Sequence, residues 1–405
     1  MSTSRTIFYT GKGGVGKTSV AAATAIRAAA AGRRTLIVST DPAHSLADSL
    51  GVEVGPEPVE VAPRLAAQEV EARREMERNW GEVRGWLTEA IGRQGVSDIA
   101  AEELTVPPGA DELFNLFEVE RHHREGRYEL IVVDCAPTGE TLRLLSFPEV
   151  ARWWLEKVAP REGVLLAAAR PFARSLLDVD LPGPDVFAQV NALLTRLVAM
   201  NTVLRDRGSS SIRLVVNPDR MVVAEARRTF TYLNLYGFPT DAVVVNRVFP
   251  EQTADGYFGA WRERQLAELD EIRRGFGELC VLTGRYFDRE VIGPEMLGAL
   301  GDELFGEIDP AAVLSDGGGE EFGESGGAPV VRLKLPFATR ESLDLKRNDG
   351  ELIVSAGRER RTLILPPALA RREVASAELR EGTLEIRFDE PEPAPEQRRP
   401  APAAG

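Results

Sequence analysis

Short, nearly unbroken apolar runs recur along the chain up to about residue 285, each bounded by polar or glycine-containing stretches. Ile7-Phe8-Tyr9, Thr35 to Ser39, Tyr128 to Asp134, Ser211 to Val216, Ala242 to Val245 and Leu279 to Leu282 are too short for core helices, and most are rich in β-branched residues. They read as strands; a run without polar alternation, such as Thr35 to Ser39, marks one buried on both faces, as in a parallel sheet. The intervening segments repeat at helical period. Ser19 to Ala31 is an alanine-rich helix former stopped by Gly32, and Asp111 to Arg124 and Val223 to Tyr236 follow the same logic, the latter ended by Gly237. Arg64 to Arg127 is polar, acidic and helical in pattern, with Trp80, Trp86, Leu87 and Ile91 at helical spacing and a break at Pro107-Pro108. It reads as an inserted helical element. Residues 148–205, with Trp153-Trp154, Val164 to Ala169, Phe172, Leu176-Leu177 and Leu193-Leu194, read as a second, forming either an apolar groove or an ordinary helical core.

The period changes after residue 314. Ser315 to Pro329 is rich in glycine and acid and reads as a flexible linker. From 330 to 390 apolar and polar residues alternate, as in Val331 to Pro336, Leu343-Asp344-Leu345, Leu352 to Val354, Thr362 to Leu365 and Thr383 to Phe388. Asn348-Asp349-Gly350 is a strong hairpin signal. The tail, 391–405, is rich in proline and alanine and is expected to be disordered. The fold class that follows is α/β over residues 1–314, with a mostly parallel sheet flanked by helices and a helical subdomain, then a small all-β sandwich.

Composition narrows the function classes. With 43% hydrophobic and 28% charged residues, the 405-residue chain has the balance of a soluble globular protein. A formal net charge of −14 argues against nucleic acid and against an anionic membrane surface as partners. No unbroken apolar run approaches the ~18 residues of an integral membrane segment, and no signal peptide is evident. The only cysteines, Cys135 and Cys280, cannot make a disulfide framework, which suits a reduced, cytoplasmic setting.

The chemistry starts at Gly11-Lys12-Gly13-Gly14-Val15-Gly16-Lys17-Thr18, which fits G-x-x-x-x-G-K-[ST] between a strand and a helix. Glycines let backbone N–H groups curl around phosphate oxygens at a helix N-terminus, so residues 11–18 and Ser19 are the candidate cradle for ATP. Lys17 is placed for the β/γ-phosphates and the Thr18 hydroxyl for Mg²⁺. Asp41 follows the second strand, where ligands bind in open α/β sheets. It either orients the attacking water or caps the next helix ahead of Pro42. Asp134 ends a hydrophobic strand and projects a carboxylate toward the metal, so Thr18, Asp41 and Asp134 are the candidate Mg²⁺ residues. Cys135 beside it reads as a buried, inert thiol. Asn246 and Asp219, after later strands, are candidate nucleotide contacts or simple turn and cap residues. His122 and His123 point apart on a helix with no third ligand nearby and read as surface residues.

These motifs resemble the deviant P-loop of the ArsA family of arsenite-pump ATPases, which also contains the ATPases that target tail-anchored membrane proteins. K-G-G-V-G-K-T, D-P-A-H-S-L-A-D and D-C-A-P-T-G-E-T-L-R-L-L match its loop and two switch segments, with Cys135 and Glu140 replacing a usual threonine and histidine. The resemblance implies a P-loop NTPase fold, ATP hydrolysis with Asp41 orienting water, and Lys12 reaching a second copy's nucleotide, hence a homodimer. It further implies nucleotide contacts from Asp219 and Asn246, and a partner that is a hydrophobic protein client or a membrane protein. The family's adenine loop falls at Arg285 to Asp288, which lack its proline, so contacts there stay unassigned. Leu333 to Phe337 and Gly382 to Ile386 resemble the opening and closing strands of an α-crystallin (small heat-shock) β-sandwich.

Overall fold

The computed structural model describes residues 4–41, 45–92, 110–135, 184–315, 317, 319–348 and 350–389. Pro42 to His44, Pro107-Pro108, most of the second switch segment, Trp153-Trp154, Val164 to Ala169, Phe172, Leu176-Leu177, Asp349 and the tail lie outside them. The chain divides into two compact units, residues 1–318 and 319–405.

In the first unit the elements run β1 (Arg5–Thr10), α1 (Lys17–Ala30), β2 (Thr35–Ser39), α2 (Ser45–Leu50), β3 (Val59–Ala62), β4 (Leu65–Glu69), α3 (Ala72–Gly92) and α4 (Ala110–Glu125). They continue through β5 (Leu130–Asp134), α5 (Pro184–Arg205), β6 (Ser210–Val216), α6 (Arg220–Leu235), β7 (Thr240–Val248), α7 (Gly259–Gly275), β8 (Cys280–Arg285) and α8 (Gly293–Phe305). The eight strands form one sheet in the order β3-β4-β2-β5-β1-β6-β7-β8. Only the β3–β4 pairing is antiparallel. Strands β2, β5, β6 and most of β1 and β7 are buried along their length, β8 only in part, and α1 lays Val20, Ala21, Ala25 and Ala28 on the sheet. Register brings Tyr9 and Ser39 level with Asp134, so β1, β2 and β5 end together. The chain then goes to either side of β1, which opens a crevice above these ends.

Two readings differ from the structure, and one helix carries a further signal. Leu65–Glu69, inside the stretch expected to be helical, is a strand with a buried face, paired in parallel with β2. Alanine, glutamine and glutamate are weak strand formers, so tertiary pairing decides the conformation here. His122 is buried rather than exposed: its Nε2 lies 2.7 Å from the Gln68 side-chain oxygen and 3.4 Å from a Glu118 oxygen. The 21 residues Asp185–Arg205 are long and apolar enough, by length and composition, to cross a membrane. Within the fold this helix instead turns Leu194, Leu197, Met200 and Leu204 inward and packs on α3 and α4, a core stripe at helical spacing.

The middle of the sheet is tied to a later segment by a buried arginine. Arg213 of β6 donates from Nε to Asp241 (3.1 Å) and from Nη1 to the Tyr9 hydroxyl (3.1 Å) and the Pro310 carbonyl (2.9 Å). Its Nη2 donates to the Ala312 carbonyl at 3.0 Å, and Arg5 adds a bond to the Ala311 carbonyl at 3.2 Å. Residues 310–312 are thereby pinned to β1 and β6.

The second unit has β9 (Glu320–Ser325), β10 (Ala328–Lys334), β11 (Leu343–Asn348), β12 (Glu351–Ala356), β13 (Glu359–Ile364), the short helix α9 (Pro367–Ala370), β14 (Val374–Arg380) and β15 (Thr383–Phe388). Strand β9 lies within the stretch read as linker. Two antiparallel sheets result, β14-β15-β10-β9 and β11-β12-β13. Leu352, Val354 and Ala356 alternate with more exposed neighbours on β12, as Leu384, Ile386 and Phe388 do on β15. Buried Arg361 of β13 crosses to Glu320 of the other sheet at 2.6 Å.

Candidate nucleotide site

Residues 11–16 join β1 to α1 at the crevice. Two of the glycines are there because nothing larger fits. A Cβ on Gly11 (φ +153°) would sit 2.2 Å from the Val215 carbonyl oxygen, and one on Gly16 (φ +92°) 2.4 Å from the Asn246 amide nitrogen. Gly13 and Gly14, by contrast, have open space on their Cβ side. Gly16 is the N-cap of α1 and offers no side-chain acceptor, so the first N–H groups of the helix stay available to an anion. Lys17, the first helical residue, is buried and turns its ammonium back along the loop, 3.4 Å from the Lys12 carbonyl. Val15 is buried beneath the loop and Ser19 is half-buried on α1.

The Thr18 hydroxyl donates to Asp134 Oδ2 at 2.6 Å and lies 3.0 Å from the Ser45 hydroxyl. Asp134 is fully buried, and its other oxygen, Oδ1, has no hydrogen-bond partner among the described residues. Burial pushes its carboxyl up to about 6; the Asp41 and Glu69 charges add to the rise, and Thr18 and Lys17 oppose it. A buried carboxylate oxygen without a partner, beside hydroxyl oxygens, is the donor chemistry of a hard divalent cation, so Thr18 and Asp134 fit Mg²⁺. Asp41 follows β2 half-buried, with its backbone N–H 3.4 Å from the Ser39 hydroxyl. Cys135 is buried, and burial pushes its thiol up to about 12.

Several neighbours carry no motif. Glu69, at the end of β4, accepts from the backbone N–H groups of Leu46 and Ala47 at 2.9 and 3.0 Å, and so fixes the start of α2 and with it Ser45. Asn115 of α4 donates to the Thr40 carbonyl at 3.1 Å, tying the helical insertion to the residue before Asp41. Both depend on contacts across more than twenty residues, which spacing does not reveal.

The flanks of the loop are also occupied. Lys12 lies 3.6 Å from Glu225 of α6, both half-exposed. Asn246 donates to the Val15 carbonyl at 3.0 Å, while its oxygen accepts from the N–H of Arg247 at 3.0 Å. One amide hydrogen and one lone pair remain for a base. Asp219 caps α6, accepting from Met221 and Val222. Thus Lys12, Lys17, Thr18, Asp134 and Asn246 gather around one loop, with Asp41 close enough to act on Asp134. Asp219 stands at the head of the helix that carries Glu225.

Residues 4–306 match the anion-transporting ATPase model, and residues 326–388 match the HSP20-like domain found in ArsA. The chain belongs to the ArsA ATPase family. A Chlorobaculum tepidum protein, provisionally named an arsenical pump-driving ATPase, is 38% identical over 391 residues, 95% of this chain and 96% of its own. ATPase GET3B of Arabidopsis thaliana is 33% identical over 322 residues, 73% of this chain and 77% of its own. ATPase get3 of Aspergillus niger is 30% identical over 318 residues, 76% of this chain and 92% of its own. Membership in the ArsA family supports ATPase activity in general and the use of a nucleotide, and the loop geometry fits both.

Proposed function

We propose that this ArsA-family protein is a cytoplasmic, Mg²⁺-dependent ATPase that works as a homodimer and couples its nucleotide state to binding and release of a protein client. The observation that carries the nucleotide part is the Thr18–Asp134 pair beside Lys17, with Asp134 Oδ1 buried and without a hydrogen-bond partner among the described residues. Lys17 and the N–H groups of residues 13–19 bind and orient the phosphates. Thr18 and Asp134 would hold Mg²⁺, which supplies charge neutralisation on the phosphate oxygens. Asp41 orients the attacking water. Lys12 exchanges Glu225 for the nucleotide of a second copy, so closure costs one weak, half-exposed ion pair. The γ-phosphate favours the closed dimer because Lys12 and the switch segments contact it in that state alone.

The HSP20-like unit supports a hydrophobic protein client. The arsenical-pump name of the Chlorobaculum relative favours a second reading, a subunit driving anion efflux with a membrane partner. Metalloid activation calls for clustered soft thiolates. The sequence has two cysteines, one of them buried with a raised pKa. The test is a pull-down with Asp41→Asn protein held in ATP. Proteins with exposed apolar segments that are lost in ADP support the client reading. A few folded partners or none sink it, and turnover stimulated by arsenite or antimonite moves the assignment to efflux.

A further inference from the structure

The C-terminal end of β7 reaches the P-loop through two consecutive side chains, Asn246 and Arg247. A bulge interrupts the β7–β8 register between Val245 and Val248, and Arg247 within it is left-handed at φ +61°. A non-glycine residue holds that conformation where its surroundings over-determine it. Here the backbone groups released by the bulge are taken up locally. Arg247 N donates to the Asn246 side chain, while Gln265 of α7 donates to the Arg247 carbonyl at 3.3 Å and accepts from Phe249 N at 2.7 Å. A bulge of this kind re-aims a side chain beside a site. The re-aimed side chain is the Arg247 guanidinium, which donates from Nη1 to the Gly14 carbonyl at 2.8 Å. Its Nη2 lies 3.9 Å from where a Cβ of Gly16 would stand. Arg247 is exposed, and no carboxylate lies within ion-pair distance of it among the described residues.

We propose that Arg247 is a positioning residue for phosphate recognition, acting with Asn246 through two successive P-loop peptides. The argument is geometric. In a planar trans peptide the carbonyl and the following N–H point in opposite directions. Arg247 holds the Gly14 carbonyl and Asn246 the Val15 carbonyl, both toward β7. The N–H groups of Val15 and Gly16 belong to those same peptides, so each is turned the other way, into the cradle. Fixing two glycine-flanked peptides before the ligand arrives removes an ordering cost that binding would otherwise bear. The exposed guanidinium charge adds favourable potential for a polyphosphate. Arginine suits the post because its planar fork engages the carbonyl and leaves further donors free.

The inference rests on the nucleotide-site reading above, and the test separates the two. Dissociation constants of a fluorescent ATP analogue, with and without Mg²⁺, are measured for the full chain and for Arg247→Ala, Arg247→Lys and Lys17→Ala, alongside turnover at saturating ATP. A charge-assisted hydrogen bond removed from a preformed cradle predicts about a tenfold weaker affinity for Arg247→Ala. Turnover at saturation falls far less than affinity does, and Arg247→Lys recovers part of the loss because it keeps a donor and the charge. Unchanged affinity in Arg247→Ala, with binding abolished by Lys17→Ala, overturns the inference and leaves the nucleotide site standing. A loss shared equally by affinity, saturated turnover and melting temperature, with no recovery in Arg247→Lys, overturns it as mere structural damage. No binding by the unaltered chain brings down both.

Discussion

Asp134 is the residue in which stability and chemistry conflict most directly. Folded, its carboxyl keeps its proton to about 6, whereas the unfolded chain releases it near the ordinary 3.8. Between those pH values the folded state binds more protons than the unfolded, so its stability falls as pH rises through the window. Melting temperatures of the nucleotide-free protein should therefore decline between about pH 4 and 6, and Asp134→Asn should flatten that slope. Magnesium nucleotide reverses the sense, because the cation competes with the proton and its affinity should rise as pH passes 6; titrations at pH 5 and 7.5 test this. Lys17→Ala should abolish nucleotide binding, and unchanged ATP affinity would discredit the P-loop assignment. Asp41→Asn should keep ATP affinity within a few-fold and lose most turnover in a phosphate-release assay, provided Asp41 orients the water.

Among the elements, β6 carries a fully buried, multiply bonded charge. Arg213 and Asp241 are both almost wholly shielded from solvent. Replacing Arg213 with Met leaves Asp241 charged and deprived of its main partner, which predicts a loss of about 3–5 kcal/mol in a denaturant titration. The same scale explains what the sequence disclosed. Strands β1, β2, β5, β6 and β7 announce themselves because burial on both faces demands continuous apolar residues, and the P-loop because phosphate binding demands glycines at fixed places. Leu65–Glu69 stayed hidden since its partner strand, and not its composition, makes it extended. His122 is buried because Gln68, 54 residues away in sequence, supplies its partner. Glu69, Asn115 and Arg247 have roles set by tertiary reach or by a left-handed backbone, neither of which leaves a local pattern. The alternation of the second unit was legible; the strand Glu320–Ser325 was not, as its glycine and acids imitate a linker.

At the scale of the molecule, the two units bury separate cores, one around the parallel sheet and one between the antiparallel sheets. Ligand binding stabilises only what it binds, by about 2.7 kcal/mol at a hundred times the dissociation constant. Calorimetry should thus resolve two transitions, with magnesium nucleotide raising the one that belongs to residues 1–318 and leaving the other in place. A single transition that moves as a whole would mean the units melt as one.

The clasp formed by Arg213 and Arg5 has a consequence for how such a chain can diversify. It locks residues 310–312 to β1 and β6 through Arg5 and Arg213, neither of them a residue of the phosphate loop, so this stretch is moored to bedrock outside the cradle. Domains could be exchanged, lengthened or deleted beyond that mooring without altering the nucleotide site. A reporter protein grafted after residue 315 would, on the same ground, be an inexpensive handle for watching the cycle.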